Sequence, residues 1–342
     1  MKKLTIEDIA SLAGVSRSAV SKAINNYSDI TPETREKILR VIKEHNYYPL
    51  ESARILGKGK NDTIAFVSQR ITVPFNALVL REIENSARNA NKYVYNITPF
   101  SSYHDNKKGD DLLRKLLYGR RASVIVALAM NPPQEIILKY KQAGISVILV
   151  ENRMKNAHSV NIDNYQGGFL AGEYLAKSGR KKIGIICGGM DAKTRYNYSY
   201  AGAERKRGFE DALQKYGIKT GQKYLEQAYN YTIREGIGIF DNFLHKGARL
   251  DSVFCASGDL TAMGIIESAR KRGMKIPQDL AVIGYDDNYY SAFLNPSLTT
   301  IRQPIDKLGA EAFNIICDSL EGKPGSFKHI EIEPEFKKRQ SA

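Results

Sequence analysis

The sequence predicts an α/β protein with a helical head. Three N-terminal helices carry a helix-turn-helix, a short hinge follows, and two doubly wound parallel-sheet lobes complete the chain. Three observations lead there. The stretch "AGVSRSAVSKAIN" (residues 13–25) places a glycine and a serine between two short amphipathic segments. The stretch "YYPLESARILGKGKN" (47–61) breaks helical pattern at Pro49 and closes on Gly57 and Gly59 among basic residues, a linker composition. From about Asp62 onward, short apolar runs alternate with helical stretches, the pattern of parallel strands joined by crossover helices. The boundaries then fall at 1–48 for the head, 49–61 for the hinge and 62–342 for the remainder.

Composition bounds the function. The 342 residues, 42% of them hydrophobic, suffice for more than one domain. No apolar run approaches the length of a membrane span. Lys2 and Lys3 are followed by Glu7 and Asp8, unlike a secretory leader, so a cytoplasmic protein without membrane partners is expected. Cys187, Cys255 and Cys317 sit in apolar stretches without ligand-like spacing and read as buried free thiols. The five histidines form no metal pattern, and no cofactor is expected. Net charge is +14. Residues 1–60 hold 11 Lys/Arg against 7 Asp/Glu, and the other 282 hold 40 against 30. The head is thus about twice as dense in positive charge, which suits a polyanionic partner.

The first helix opens on Thr5 and Asp8, a capping-box-like pair. Ile6, Ile9, Ala10 and Ala13 form its buried stripe, and Gly14 permits a sharp turn. Ser16 is placed to cap the second helix. At about 100° per residue, Arg17, Ser18, Ser21, Lys22 and Asn25 share one arc, and Ala19, Val20, Ala23 and Ile24 share the opposite one. The polar arc carries side chains that bond phosphates and base edges. A third helix begins at Thr31-Pro32-Glu33, with Ile38, Val41 and Ile42 as its apolar face. The tight joint lets one helix brace while the next enters a DNA major groove. From periodicity alone, a small three-helix bundle with a solvated polar face is also possible.

"TIEDIASLAGVSRSAVSKAIN" resembles the head of the lactose/galactose-repressor family of bacterial transcription regulators. Thr5, Asp8, Ala10, Ala13, Gly14, Val15, Ser16, Val20, Ser21 and Asn25 match its pattern. The resemblance extends through "YYPLESARIL" (47–56), "IGYDD" (283–287) and "LTTIRQP" (298–304), nearly the whole chain. It implies a hinge helix at Leu50–Gly57 that orders on operator DNA, with Leu56 as a minor-groove wedge. A helix of that length is marginal alone in water, and a plain tether is the other reading. Leu50 stands where the family usually carries Asn. The candidate DNA-contacting set is Thr5, Ser16, Arg17, Ser18, Ser21, Lys22, Asn25, Thr34, Tyr47, Ala53 and Leu56.

The lobes are announced by "TIAFVS", "YVYNIT", "SVIVALA", "VILV", "KIGIIC", "SVFCA" and "LAVIGY", with helical segments at 76–91, 133–143, 164–178, 200–216 and 258–272. The resemblance implies a periplasmic-binding-protein-like pair of lobes with a cleft between them. By that analogy the chain crosses between lobes near 162, 290 and 325, giving lobes of 62–162 plus 291–325 and 163–290 plus 326–342. Ligands in open α/β sheets bind beyond the carboxyl ends of strands. Asp286, Phe75, Asn76, Tyr231, Arg205, Ser257 and Asp259 follow such ends. The resemblance selects Phe75, Asn76, Arg205, Tyr231 and Asp286 as effector contacts. Ser257, Asp259 and Asp163 read first as helix caps. Arg205 lies in "ERKR" (204–207), a cluster that is ordinarily a solvated face.

Catalysis finds little support. There is no phosphate-loop pattern, nucleophile elbow or metal spacing, and "CGGMD" (187–191) is too short a signal for a dinucleotide site. A solute-binding protein without DNA activity is the distant alternative. The expected protein is a regulator, a repressor by preference and no enzyme, bound as a homodimer to a pseudo-palindromic operator. A small molecule, a sugar or glycoside first and a purine-like metabolite second, tunes its operator affinity. No heptad segment follows "EIEPEFKKRQSA", so no tetramerisation device is expected.

Overall fold

The computed structural model describes residues 4–24, 27–45, 47, 63–91, 96–103, 105–190, 198–323 and 325–342. The chain divides into two compact units, Met1–Asn61 and Asp62–Ala342.

In the first unit, α1 (Ile6–Ala13), α2 (Arg17–Ile24) and α3 (Pro32–Glu44) surround a small core of Ile9, Ala13, Val20, Ala23 and Ile38. Local chemistry sets each end. The Thr5 N–H donates to Asp8 Oδ2 at 2.7 Å, and the Asp8 N–H donates back to Thr5 Oγ1 at 3.3 Å, closing a capping box. Gly14 stops α1 in the left-handed region, at φ 61°, where a side chain is disfavoured. Ser16 Oγ accepts from the Ala19 N–H at 3.1 Å, as a cap should. Thr31 caps α3 behind Pro32. Ile6, Ala19, Ile24, Val41 and Ile42 are only partly covered.

The second unit alternates strands and helices in this order: β1 (Thr63–Ser68), α4 (Pro74–Asn89), β2 (Asn96–Ser101), α5 (Asn106–Tyr118), β3 (Val124–Leu128), α6 (Gln134–Gln142), β4 (Ser146–Val150) and β5 (His158–Ile162). Then come α7 (Asn164–Lys177), β6 (Ile183–Cys187), α8 (Tyr200–Lys215), β7 (Leu225–Gln227), α9 (Ile233–His245), β8 (Ser252–Cys255), α10 (Asp259–Lys271), β9 (Ala281–Asp286) and β10 (Thr299–Arg302). The last elements are α11 (Ile305–Leu320), β11 (His329–Ile332) and β12 (Glu335–Lys337). Two six-stranded sheets result, ordered β11-β5-β4-β3-β1-β2 and β12-β10-β9-β8-β6-β7. Every neighbouring pair is parallel except β10 with β12. Helices cover both faces of each sheet. In the first lobe, α4 and α11 pack on one face and α5 and α6 on the other. In the second, α7 and α8 oppose α9 and α10. Central strands such as β1 and β3 are buried along their whole length, which is why they read as unbroken apolar runs.

The first crossing between lobes falls after Ile162, where β5 ends. The other two differ from the expected positions. The second falls at 303–304 rather than near 290, because β10 pairs with β9, Thr299 opposite Ile283, and stays in the second lobe. The third falls at 333–334 rather than near 325, because β11 pairs with β5, Ile330 opposite Val160. The C-terminal β12 then returns to the second sheet against β10. Cys187 and Cys255 are buried free thiols, and Cys317 is partly exposed. No helix among the described residues is long and apolar enough to cross a membrane.

Two helices meet unusually closely. A Cβ on Gly168 of α7 would stand 1.9 Å from the Arg205 carbonyl oxygen of α8, and one on Gly208 would stand 1.9 Å from that of Tyr165. Only glycine admits that approach, and it places α8, with Arg205, against the start of the second lobe.

Candidate functional site

The head presents a polar face on α2. Arg17 and Ser18 are exposed, and Ser21 and Lys22 are partly so. Arg17 Nη1 lies 3.1 Å from Glu7 Oε1, and Lys22 Nζ lies 2.7 Å from Asp29 Oδ2. The hydrogen bond from Lys22 holds the Asp29 carboxyl below its usual range. Both pairs are solvent-exposed and therefore weak, so the two cations can exchange carboxylates for phosphates at little cost. Thr5 and Ser16 are committed to caps. Thr34 Oγ1 accepts from the Thr31 hydroxyl at 2.9 Å, and Tyr47 packs partly buried against the head's core. Asn25, Leu50, Ala53 and Leu56 lie outside the described residues.

In the second unit the carboxyl ends of the parallel strands of both sheets face one cleft of roughly 410 Å³. Phe75, Asn76, Arg205, Tyr231 and Asp286, the five expected contacts, all line it. Phe75 and Asn76 sit in the first turn of α4 behind Pro74. The Asn76 amide donates to the Arg70 carbonyl at 2.8 Å, which fixes that turn.

Arg205 is the centre of a buried polar cluster. It is 8% exposed, and Glu151 is 3% exposed. Its Nε donates to Asn164 Oδ1 at 2.7 Å, its Nη1 to the Ala256 carbonyl at 2.8 Å, and its Nη2 stands 3.4 Å from Glu151 Oε2. The guanidinium carbon lies 3.6 Å from the centre of the Tyr285 ring. Glu151 also accepts from the Ile162 N–H and the Asn164 amide, each at 2.9 Å. Every charge in the cluster thus has a partner, as burial requires. "ERKR" is a solvated face at Arg207 but not at Arg205.

Asp286 closes β9 with φ 110°, a region that side-chain-bearing residues rarely adopt. Its Oδ1 accepts from the Gln303 amide, and its Oδ2 from the Asn288 amide at 3.5 Å. Burial pushes its carboxyl well above the usual range, helped by the nearby Asp259 charge and opposed by Arg205. Tyr231 has φ 55°, and burial pushes its hydroxyl up to about 12.

Asp259 and Ser257 are not the caps the sequence suggested. The N-cap position of α10 is Gly258, which carries no capping side chain. The Asp259 carboxylate turns inward and accepts from the Asn288 N–H at 2.8 Å and from the Ser291 and Thr300 hydroxyls at 2.7 Å. It braces the segment that follows Asp286. Ser257 Oγ is buried beside the cleft with no partner among the described residues, and so is Gln303 Oε1. Asp163 does cap α7, accepting from the Gln166 N–H at 2.8 Å.

Several lining residues escaped sequence reading. Glu151 follows β4, Asn131 follows β3, and Gln303 follows β10. The strand-end rule that found Asp286 would also have found the first two. Asn131 reaches across to the Tyr198 carbonyl, and Asn152 donates to Asn131 Oδ1 at 2.7 Å. Among the described residues no group of three or more His, Cys, Asp and Glu is placed to hold a metal ion.

Known proteins share this organisation. Residues 5–49 match the bacterial regulatory proteins of the lacI family, and residues 173–342 match a periplasmic binding protein-like domain. The HTH-type transcriptional repressor PurR of Edwardsiella ictaluri is 32% identical over 98% of this chain and 96% of its own. A solved complex of the transcriptional regulator CelR with cellobiose is 25% identical, with a TM-score of 0.72 over 99% of this chain and 100% of that one. The lac repressor dimer, solved with operator and the anti-inducer ONPF, shares the fold at 21% identity, with a TM-score of 0.80 over 99% of both chains. With its head, its paired sheets and that likeness along nearly its whole length, the chain belongs to the lacI family of bacterial DNA-binding transcriptional regulators.

Proposed function

We propose that this regulator is a cytoplasmic homodimeric repressor whose operator affinity is set by a small molecule held between its two lobes. In this reading α2 reads bases through Arg17, Ser18 and Lys22, and residues 49–61 act as the hinge. Phe75, Asn76, Arg205, Tyr231 and Asp286 contact the effector. The observation that carries the effector reading is the convergence of an arginine, a carboxyl group and two aromatic rings on one cleft. Arg205 and Asp286 supply donors and acceptors for neighbouring hydroxyls, and Phe75 and Tyr231 supply faces for a ring. That chemistry suits a sugar or glycoside. The cellobiose complex of CelR and a lacI-family regulator from Enterococcus faecium solved with ribose, each 25% identical, support the same class. A purine-like metabolite is the second reading, favoured by the full-length likeness to repressors named PurR.

Thermal-shift screening against sugars and nucleobases tests the two readings. A ligand that binds only the folded chain at about 100 times its Kd adds about 2.7 kcal/mol. The reading expects at least one sugar to raise the melting midpoint and to change operator affinity in a gel or anisotropy assay. A shift with nucleobases alone would select the second reading. No shift with either class would remove the cleft from the effector role.

A further inference from the structure

Glu235 lies in the first turn of α9 and is absent from the residues lining the cleft. Its carboxylate nevertheless gathers three successive backbone donors from the loop ahead of that helix. Tyr229 N–H donates to Oε1 at 2.7 Å, Asn230 N–H to Oε2 at 2.9 Å and Tyr231 N–H to Oε2 at 2.7 Å. Its own N–H donates to Thr232 Oγ1 at 3.1 Å, the first half of a capping box. In a capping box the third-position glutamate returns to the N–H of the cap residue. Here it reaches past Thr232 to the three residues before it. Successive N–H groups pointing into one space form an anion-binding concavity, and in this chain the anion is internal.

The arrangement answers a question the cleft raises. Tyr231 is held at φ 55°, a conformation a tyrosine keeps only when its surroundings fix it. Thr232 starts a helix and cannot fix what precedes it. Glu235 can, because two of its three bonds go to the amides on either side of Asn230, the second of them Tyr231's own N–H, which fixes the peptide plane from which that φ is measured. We propose that Glu235 is the positioning residue for the aromatic side of the cleft. It sets the Tyr229–Tyr231 loop, and with it the Tyr231 ring, without touching a ligand. The proposal rests on reading the cleft as a binding site, since only then does the ring's position have a use.

The test needs no ligand, so its outcome is independent of the effector screen. The chain contains no tryptophan. Tyr231→Trp in the full-length chain therefore gives a single tryptophan at the position in question, excited selectively over the remaining tyrosines at the red edge of the absorption band. In that background Glu235→Ala should increase acrylamide quenching about twofold and shift emission to the red. Glu235→Gln, which keeps one carbonyl acceptor, should fall between. The melting midpoint followed by circular dichroism should move by only a few degrees in both. Without the reporter, Glu235→Gln should speed amide exchange at 229–231 by about tenfold while leaving β6 and β8 unchanged. Unchanged quenching in the Ala variant, or unchanged exchange in the Gln variant, would overturn the proposal. So would quenching that rises only together with a collapse of the melting midpoint, because Glu235 would then hold the lobe rather than the loop.

Discussion

Glu151 and Arg205 meet across the floor of the cleft from different lobes. Glu151 leaves β4 of the first lobe and Arg205 projects from α8 of the second, and Glu151 Oε2 stands 3.4 Å from the Arg205 Nη2. Both side chains are buried, and each makes three hydrogen bonds or ion-pair contacts within the cluster. Any rearrangement of the lobes must either carry this pair along intact or break it in a place where water cannot easily replace the lost partner.

Removing one member should therefore be costly. Glu151→Ala strands the guanidinium and leaves the Ile162 N–H and the Asn164 amide short of an acceptor. The expected loss is about 3–5 kcal/mol, read from urea unfolding. Adding Arg205→Met should recover part of it. A double variant as unstable as the sum of the two singles would show that the pair does not couple.

The raised Asp286 carboxyl makes a statement about stability and pH. A folded chain that holds this proton above the ordinary value of 3.8 releases it later than the unfolded chain does. Stability from this group is therefore greatest at low pH and falls as pH rises from the ordinary value toward the raised one. Asp286→Asn cannot ionise and escapes the fall, and asparagine also tolerates positive φ. The variant should melt higher than the parent at neutral pH, with the gap closing toward about pH 4. A gap that is the same at every pH would locate the effect elsewhere.

Arg17→Ala tests base reading. Arg17 is exposed on α2, where the surface carboxylate Glu7 competes for it. Loss of its side chain should relax preference at one operator position by about 1–3 kcal/mol. Selection from randomised DNA would display the change. An unaltered preferred sequence would take Arg17 out of the reading set.

Two glycines should respond in opposite directions to the same methyl group. Gly168→Ala drives a Cβ into the Arg205 carbonyl, so α8 must move and take Arg205 with it. Overpacking of this kind costs about 1–3 kcal/mol. Gly238, inside α9, has nothing within 4 Å of the same position. Gly238→Ala should stabilise by about 0.4–1 kcal/mol. Chemical denaturation of both variants checks the pair, and equal responses would refute the packing argument.

These contrasts also show what could be read in advance. The head was legible because its signals are local: Thr5 with Asp8, Gly14 at a left-handed turn, and Ser16 beside Ala19 all act within a few residues. Strands β1, β3, β6, β8 and β9 were legible because burial on both faces demands unbroken apolar runs. Strand β10 is only the four residues Thr299–Arg302, and edge strand β11 carries polar residues such as Glu331, so neither stands out as an apolar run, and the second and third crossings were misplaced. The five expected cleft residues share one signal, position after a strand. Glu151 shares that signal too, but its role depends on Arg205, 54 residues away, and Asn164, 13 away. Asp259 was misread because opening a helix suggests a cap, whereas its partner Thr300 lies 41 residues further on.

The return of the chain to both sheets at its end has a consequence for synthesis. A ribosome delivers residues 63–302 first, and they contain five strands for each lobe. The sixth strand of the first sheet is 329–332 and that of the second is 335–337. Both lobes therefore wait, each with an open edge, for the same short segment. It completes one with β11 and, a few residues later, the other with β12. Ser341 then secures the second, donating from its hydroxyl to the Val282 carbonyl at 2.6 Å and accepting from the Thr299 N–H at 2.8 Å. A nascent chain halted before residue 329 holds two unfinished sheets rather than one finished lobe and one unfinished one. Unpaired sheet edges invite wrong partners, so the interval before residues 329–337 emerge is one in which both sheets are open to misassembly.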